Sequence, residues 1–118
     1  MESLKNKVVL ITGASSGIGK ACAFAFAKEG ANLILAARRL DKLKAIASSI
    51  TKEYNSKILA IELDVKDNQK VKSVISNLSE EWKQIDLLIN NAGLARGFSR
   101  IYDGETEHWE EMIDTNII

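Results

Sequence analysis

VVLITGASSGIGKACAFAFAKEG (residues 8–30) joins five apolar or β-branched residues to a glycine-rich loop, and the loop to a segment of helical composition. The first five residues are apolar at consecutive positions, the pattern of a strand buried on both faces. Gly13, Gly17 and Gly19, with Ser15 and Ser16 between them, form the loop. Residues 17–28 read as a helix, with Gly30 as its stop signal. A loop that leaves a strand and opens a helix aims backbone N–H groups and the helix dipole beyond the sheet edge. Such a place suits a phosphate.

The alternation repeats downstream. NLILAA (32–37) is a second buried strand, residues 40–54 form a helix with Leu43, Ile46, Ala47, Ile50 and Tyr54 on one face, and KILAIEL (57–63) is a third strand. Asp67 is placed to cap a single helix carrying Val71, Val74, Ile75, Leu78 and Trp82 at i, i+3, i+4, i+7 and i+11. DLLIN (86–90) is a fourth strand. A loop with Gly93, Gly97 and Gly104 follows, then a helix from about Thr106 with Trp109, Ile113 and Asn116 on one face. Strands alternating with helices call for right-handed crossovers and a parallel sheet covered on both sides. The expected fold is doubly wound α/β, in one domain over residues 1–118.

Composition narrows the function classes. Lys+Arg and Asp+Glu number 16 each, with no basic block, so no nucleic-acid partner is expected. Cys22 is the sole cysteine, which leaves no internal disulfide and no Cys-based zinc site. Its Ala/Phe-rich surroundings suggest a buried, inert thiol. His108, beside Trp109, has no second ligand at metal spacing, so a surface role is expected and no metal. The opening MESLKNKVVLITG holds an apolar run too short for a signal peptide or a membrane span, and a cytoplasmic protein without a membrane partner is the expectation.

Two phosphate-loop patterns are close without fitting. Gly19–Lys20 suggests G-x-x-x-x-G-K-[ST], but Ala14 stands at the first glycine and Ala21 where a hydroxyl must reach Mg²⁺. The dinucleotide fingerprint G-x-G-x-x-G is replaced by G-x-x-x-G-x-G. The mechanics are shared with it, because glycine lets the backbone approach a pyrophosphate with no Cβ in the way. A tight strand–helix turn without a ligand is the plainer alternative.

TGASSGIG (12–19), LDV (63–65) and NNAG (90–93) occur in that order, each at the C-terminal end of an expected strand, the edge where open α/β sheets bind ligands. Together they resemble the short-chain dehydrogenase/reductase family, from about residue 6 to the last residue. The resemblance implies that Gly13, Ser15, Ser16, Gly17, Ile18 and Gly19 surround a pyrophosphate and its ribose. It implies that Asp64 and Val65 hold an adenine, and that Asn91, Ala92 and Gly93 line the nicotinamide side, with Asn90 tying strands together. A site preferring NAD(H) places a carboxylate about 20 residues after the glycine loop, to accept from the ribose 2′-OH. Here the strand ends Ala36–Ala37–Arg38–Arg39, and no carboxylate lies between the strand and Asp41. Guanidiniums suit a 2′-phosphate, so NADP(H) is the expected cofactor over NAD(H), with Arg38 the stronger contact. An exposed basic corner is the alternative.

The family's acid/base is a tyrosine with a lysine four residues later, and a serine upstream orients the substrate. Tyr54 is followed at that spacing by Ile58 and Tyr102 by Thr106, so neither tyrosine fits. Asn116, in DTNII, matches the helix asparagine that in the family holds a water linked to the catalytic lysine. It is the one catalytic position carried over. EHWEEMIDTNI after NNAGLARG resembles the subgroup acting on 3-hydroxy acids and serine-like substrates.

Four readings stay open. The chain is an NADP(H)-binding portion that is not catalytic alone, or an enzyme whose missing groups come from another chain. It is a truncated fold module that self-associates and binds no cofactor, or a different Rossmann-like enzyme such as an S-adenosylmethionine-dependent transferase. Sheets of the resembled family run 3-2-1-4, which leaves DLLIN at an edge with open N–H and C=O groups. A homo-oligomer formed through that edge is therefore expected.

Overall fold

In a computed structural model, residues 4–64 and 66–90 are described. Four parallel strands, β1 (Val8–Thr12), β2 (Asn32–Ala37), β3 (Ile58–Glu62) and β4 (Leu87–Asn90), pair in the order β3-β2-β1-β4. That is the expected order. Val8–Thr12 lie opposite Asn32–Ala36, and Val9–Thr12 opposite Leu87–Asn90, so the C-terminal ends of β1, β2 and β4 align along one edge.

All five β1 side chains are buried, as consecutive apolar residues require when helices cover both faces. On one face Val9, Ile11, Leu33, Leu35 and Ile89 pack with α1 (Gly17–Lys28) and α2 (Leu40–Glu53). Helix α1 contributes Ala23 and Ala27, and α2 contributes Leu43, Ile46 and Ile50. The opposite face sets Val8, Leu10, Ile34, Ala36 and Leu88 against α3 (Asn68–Ser76) and α4 (Glu80–Lys83). After β3 the chain crosses to the far side of β1, so the strand order reverses between β1 and β4. This is the switch point at which open α/β sheets leave a crevice.

Gly30 ends α1 as expected, for a reason seen in its backbone. Its φ is +89°, the N–H of Ala31 reaches the carbonyl of Phe26 (3.1 Å), and the N–H of Gly30 that of Ala27 (3.0 Å). Those two bonds are the Schellman closure of a helix, which favours glycine at the left-handed position.

The single helix expected through Trp82 is two. Helix α3 stops at Ser76, where the N–H of Asn77 turns to the carbonyls of Ser73 and Val74, and Ser79 opens α4. Val71, Ile75, Leu78 and Trp82 are nevertheless all buried on one core. The apolar spacing reported the face correctly, while the backbone interrupts the helix between Asn77, the C-cap of α3, and Ser79, the N-cap of α4. Cys22 is partly buried rather than fully so; what burial it has pushes the thiol above its usual range. The helix expected from about Thr106, with His108 and Trp109, lies outside the described residues.

Candidate functional site

The loop after β1 is shaped by its first glycine. Gly13 takes φ +61°, in the region where a side chain is strained, and its carbonyl accepts from the N–H of Ser16 (3.2 Å) and the Ser16 hydroxyl (2.9 Å). Ala14 buries its methyl in the core, and its N–H donates to the carbonyl of Ala36 at the end of β2 (3.2 Å). The loop is thereby fastened to both central strands.

Ser16 occupies the N-cap of α1, yet its hydroxyl is turned back to Gly13 and caps nothing in the helix. The N–H groups of Gly17, Ile18 and Gly19 have no intrahelical acceptor by construction. The Ser16 side chain does not take that place. Helix α3 shows the contrast: Asp67 accepts from the N–H of Lys70 (3.1 Å).

Two further features mark this end of α1. A Cβ built on Gly17 would meet no atom within 4 Å, so internal packing does not explain the glycine. Ile18 is the one large hydrophobic side chain exposed among the described residues, at 47%. Open space beside uncapped N–H groups and an apolar side chain suits a ligand that is anionic in part and apolar in part.

Arg38 and Arg39 follow β2 directly, two and three residues beyond the carbonyl that holds the loop. They are not equivalent. Arg39 donates from Nε and Nη2 to the two carboxylate oxygens of Asp41 (3.3 and 3.1 Å). This contact, with the charge of Arg39 added to it, holds the Asp41 carboxyl below the usual carboxylate range. Arg38 is exposed, and among the described residues nothing pairs with it. An Arg-x-Asp spacing at the start of a helix was the signal in the sequence that separates the two.

Next along the edge, the N–H of Leu63 donates to the carbonyl of Ala37 (2.8 Å), which seats Asp64 beside the end of β2. Asp64 is exposed; its Oδ1 accepts from the N–H of Lys66 (3.0 Å) and its carbonyl from that of Asp67 (2.9 Å). The structure thus gathers Gly13, Ser15, Ser16, Gly17, Ile18, Gly19, Arg38, Arg39 and Asp64 on one edge of the sheet. Val65, Asn91, Ala92, Gly93 and Asn116 lie outside the described residues.

The arrangement matches a known family. The model of the short chain dehydrogenase family matches residues 7–118. The chain belongs to that family. This short-chain dehydrogenase chain is 44% identical, over its full length, to the NADP-dependent 3-hydroxy acid dehydrogenase of Schizosaccharomyces pombe, of which it covers 46%. It is 42% identical over 93% of its length to sulfoacetaldehyde reductase 2 of Chromohalobacter salexigens, covering 43% of that protein. The chain therefore spans under half the length of these curated relatives.

Among solved structures, L-sorbose reductase from Gluconobacter frateurii, complexed with NADPH and L-sorbose, superposes with a TM-score of 0.74 at 30% identity. The match covers 87% of this chain and 50% of that one. A short-chain type dehydrogenase/reductase from Mycobacterium marinum gives 0.70 at 32% identity, over 96% of this chain and 49% of the other. The Rossmann-like fold is thus shared with the family. No helix among the described residues is long and apolar enough to cross a membrane.

Proposed function

We propose that the chain is the NADP(H)-binding portion of a short-chain oxidoreductase, a single nucleotide-binding domain. The observation that carries this is Arg38, unpaired among the described residues, beside the open and uncapped start of α1. The first-turn N–H groups would receive the pyrophosphate, with Gly17 leaving room for close approach. Ile18 would lie along the ligand. Arg38 would receive the 2′-phosphate, and the Asp64 carboxylate would accept from the adenine amino group. When bound, the cofactor supplies hydride exchange with a carbonyl or alcohol carbon. Names of relatives such as 3-hydroxy acid dehydrogenase support a small hydroxy acid or its oxo form as the substrate of the complete enzyme.

Calorimetric titration with NADPH and NADH in parallel tests the reading. Micromolar binding with NADPH preferred is expected, and no binding of either would refute it.

A second reading draws on the sheet edge. Among the described strands β4 pairs only with β1, and an edge strand recruits partners. Homo-oligomer formation through β4 is the proposal, and a sharp monomer in sedimentation at tens of micromolar would refute it.

A further inference from the structure

We propose that Asp41 sets how strongly the site discriminates for a 2′-phosphate, by holding Arg39 in an ion pair with which the phosphate must compete. This deepens, and rests on, the NADP(H) reading above. The sequence offers two adjacent guanidiniums at the end of β2, and the structure makes them unlike. Arg39 spends Nε and Nη2 on the Asp41 carboxylate, while Arg38 has no partner among the described residues. The corner therefore carries one available guanidinium, one occupied one and a carboxylate.

The pair is open to competition. Its side chains are 62% and 68% exposed, and exposed ion pairs shift an equilibrium by about fivefold at most. A phosphate dianion offers more charge than a carboxylate and suits the same planar fork. It cannot take the Nε–Nη2 edge of Arg39 without displacing Asp41, whose own charge also opposes it. Asp41 thus lowers affinity for a phosphorylated ribose and leaves an unphosphorylated one unaffected. Loss of its charge frees Arg39 as a second fork.

Asp41 has a separate local role that the test must keep apart. It sits in the first turn of α2, where a negative charge favours the helix dipole. A merely structural residue would, on substitution, change the melting temperature and weaken every nucleotide alike.

The probes are adenosine 2′,5′-bisphosphate and 5′-AMP, which differ only in the 2′-phosphate. Each is titrated calorimetrically into the purified wild type, Asp41→Asn, Arg39→Ala and the double variant, with thermal melts alongside. Asp41→Asn is expected to bind the bisphosphate on the order of three- to fivefold more tightly, with 5′-AMP changed less than twofold. In the Arg39→Ala background the gain should fall below twofold, and in high salt it should shrink. Asp41→Ser, which removes the charge but keeps a short polar side chain in the first turn, should reproduce the gain if the asparagine variant folds poorly.

If Asp41→Asn binds the bisphosphate no better than wild type, while wild type still prefers it to 5′-AMP, the role of Asp41 falls and the NADP(H) reading stands. A gain that persists undiminished without Arg39 overturns the pairing argument in favour of direct repulsion. A wild type that does not distinguish the two nucleotides overturns both.

Discussion

Arg38→Ala should weaken NADPH binding far more than NADH binding, and the structure bounds the size of the difference. Arg38 is exposed and unpaired among the described residues, so its truncation removes no ion pair or hydrogen bond among them and the fold should melt unchanged. What it would remove, on the proposed NADP(H) reading, is a charge-assisted bond to the 2′-phosphate, worth about 1.5–3 kcal/mol. At 1.4 kcal/mol per tenfold, that is about a ten- to hundredfold rise in Kd for NADPH. Solvent screening at an exposed corner favours the lower half of the range. Arg39 should compensate little while Asp41 holds it. Arg38→Lys should recover only part of the loss, because an ammonium keeps the charge without the fork. The assay is calorimetry with both cofactors at fixed ionic strength, checked by a thermal melt. Equal losses for NADPH and NADH, with the melt unchanged, would show that Arg38 does not meet the 2′-phosphate.

Gly17→Ala should separate folding from binding: a Cβ there meets nothing within 4 Å, so the fold should keep or gain about 0.4–1 kcal/mol, while cofactor affinity falls. A variant that melts lower, or binds as tightly as wild type, would contradict this. Gly30→Ala should destabilise by about 1–2 kcal/mol through its φ of +89°, with the backbone of Lys5 only 3.2 Å from the new Cβ adding to it. A drop of several degrees in Tm is the readout, and cofactor affinity of the folded protein should not change. The 118-residue chain by itself should reduce no carbonyl substrate. It offers no phenol with a lysine four residues on, and a free phenol near pKa 10 is a poor acid/base at neutral pH. Turnover surviving removal of contaminating reductases would oppose that expectation.

Strand positions were legible because this sheet is buried on both faces. VVLIT and NLILAA have nowhere to go but between two helical layers, and the structure places both runs within the bounds read from the sequence. The third strand was legible in place but not in burial: Ile58, Leu59, Ala60 and Ile61 are half-buried, because β3 has a partner on one side only among the described strands. Helix continuity from Asp67 to Trp82 was misread for a different reason. Periodicity reports which side chains share a face, and it is blind to an interruption of the backbone such as the one between Asn77 and Ser79.

The site divides along the same line. The glycine loop could be located from sequence because its order, strand then glycine then helix, fixes where its N–H groups face. The pairing of Arg39 was signalled only by the Arg-x-Asp spacing, since Arg38 and Arg39 otherwise differ only in which of them reaches the first turn of α2. That turn brings Asp41 within 3.1 Å of one guanidinium and leaves the other alone. The consequence for cofactor choice is that basic residues after β2 count as phosphate ligands only after internal carboxylates have been subtracted. A chain with the same two arginines and an uncharged residue at position 41 would have the same fold and the same glycine loop, but a stronger preference for the phosphorylated ribose.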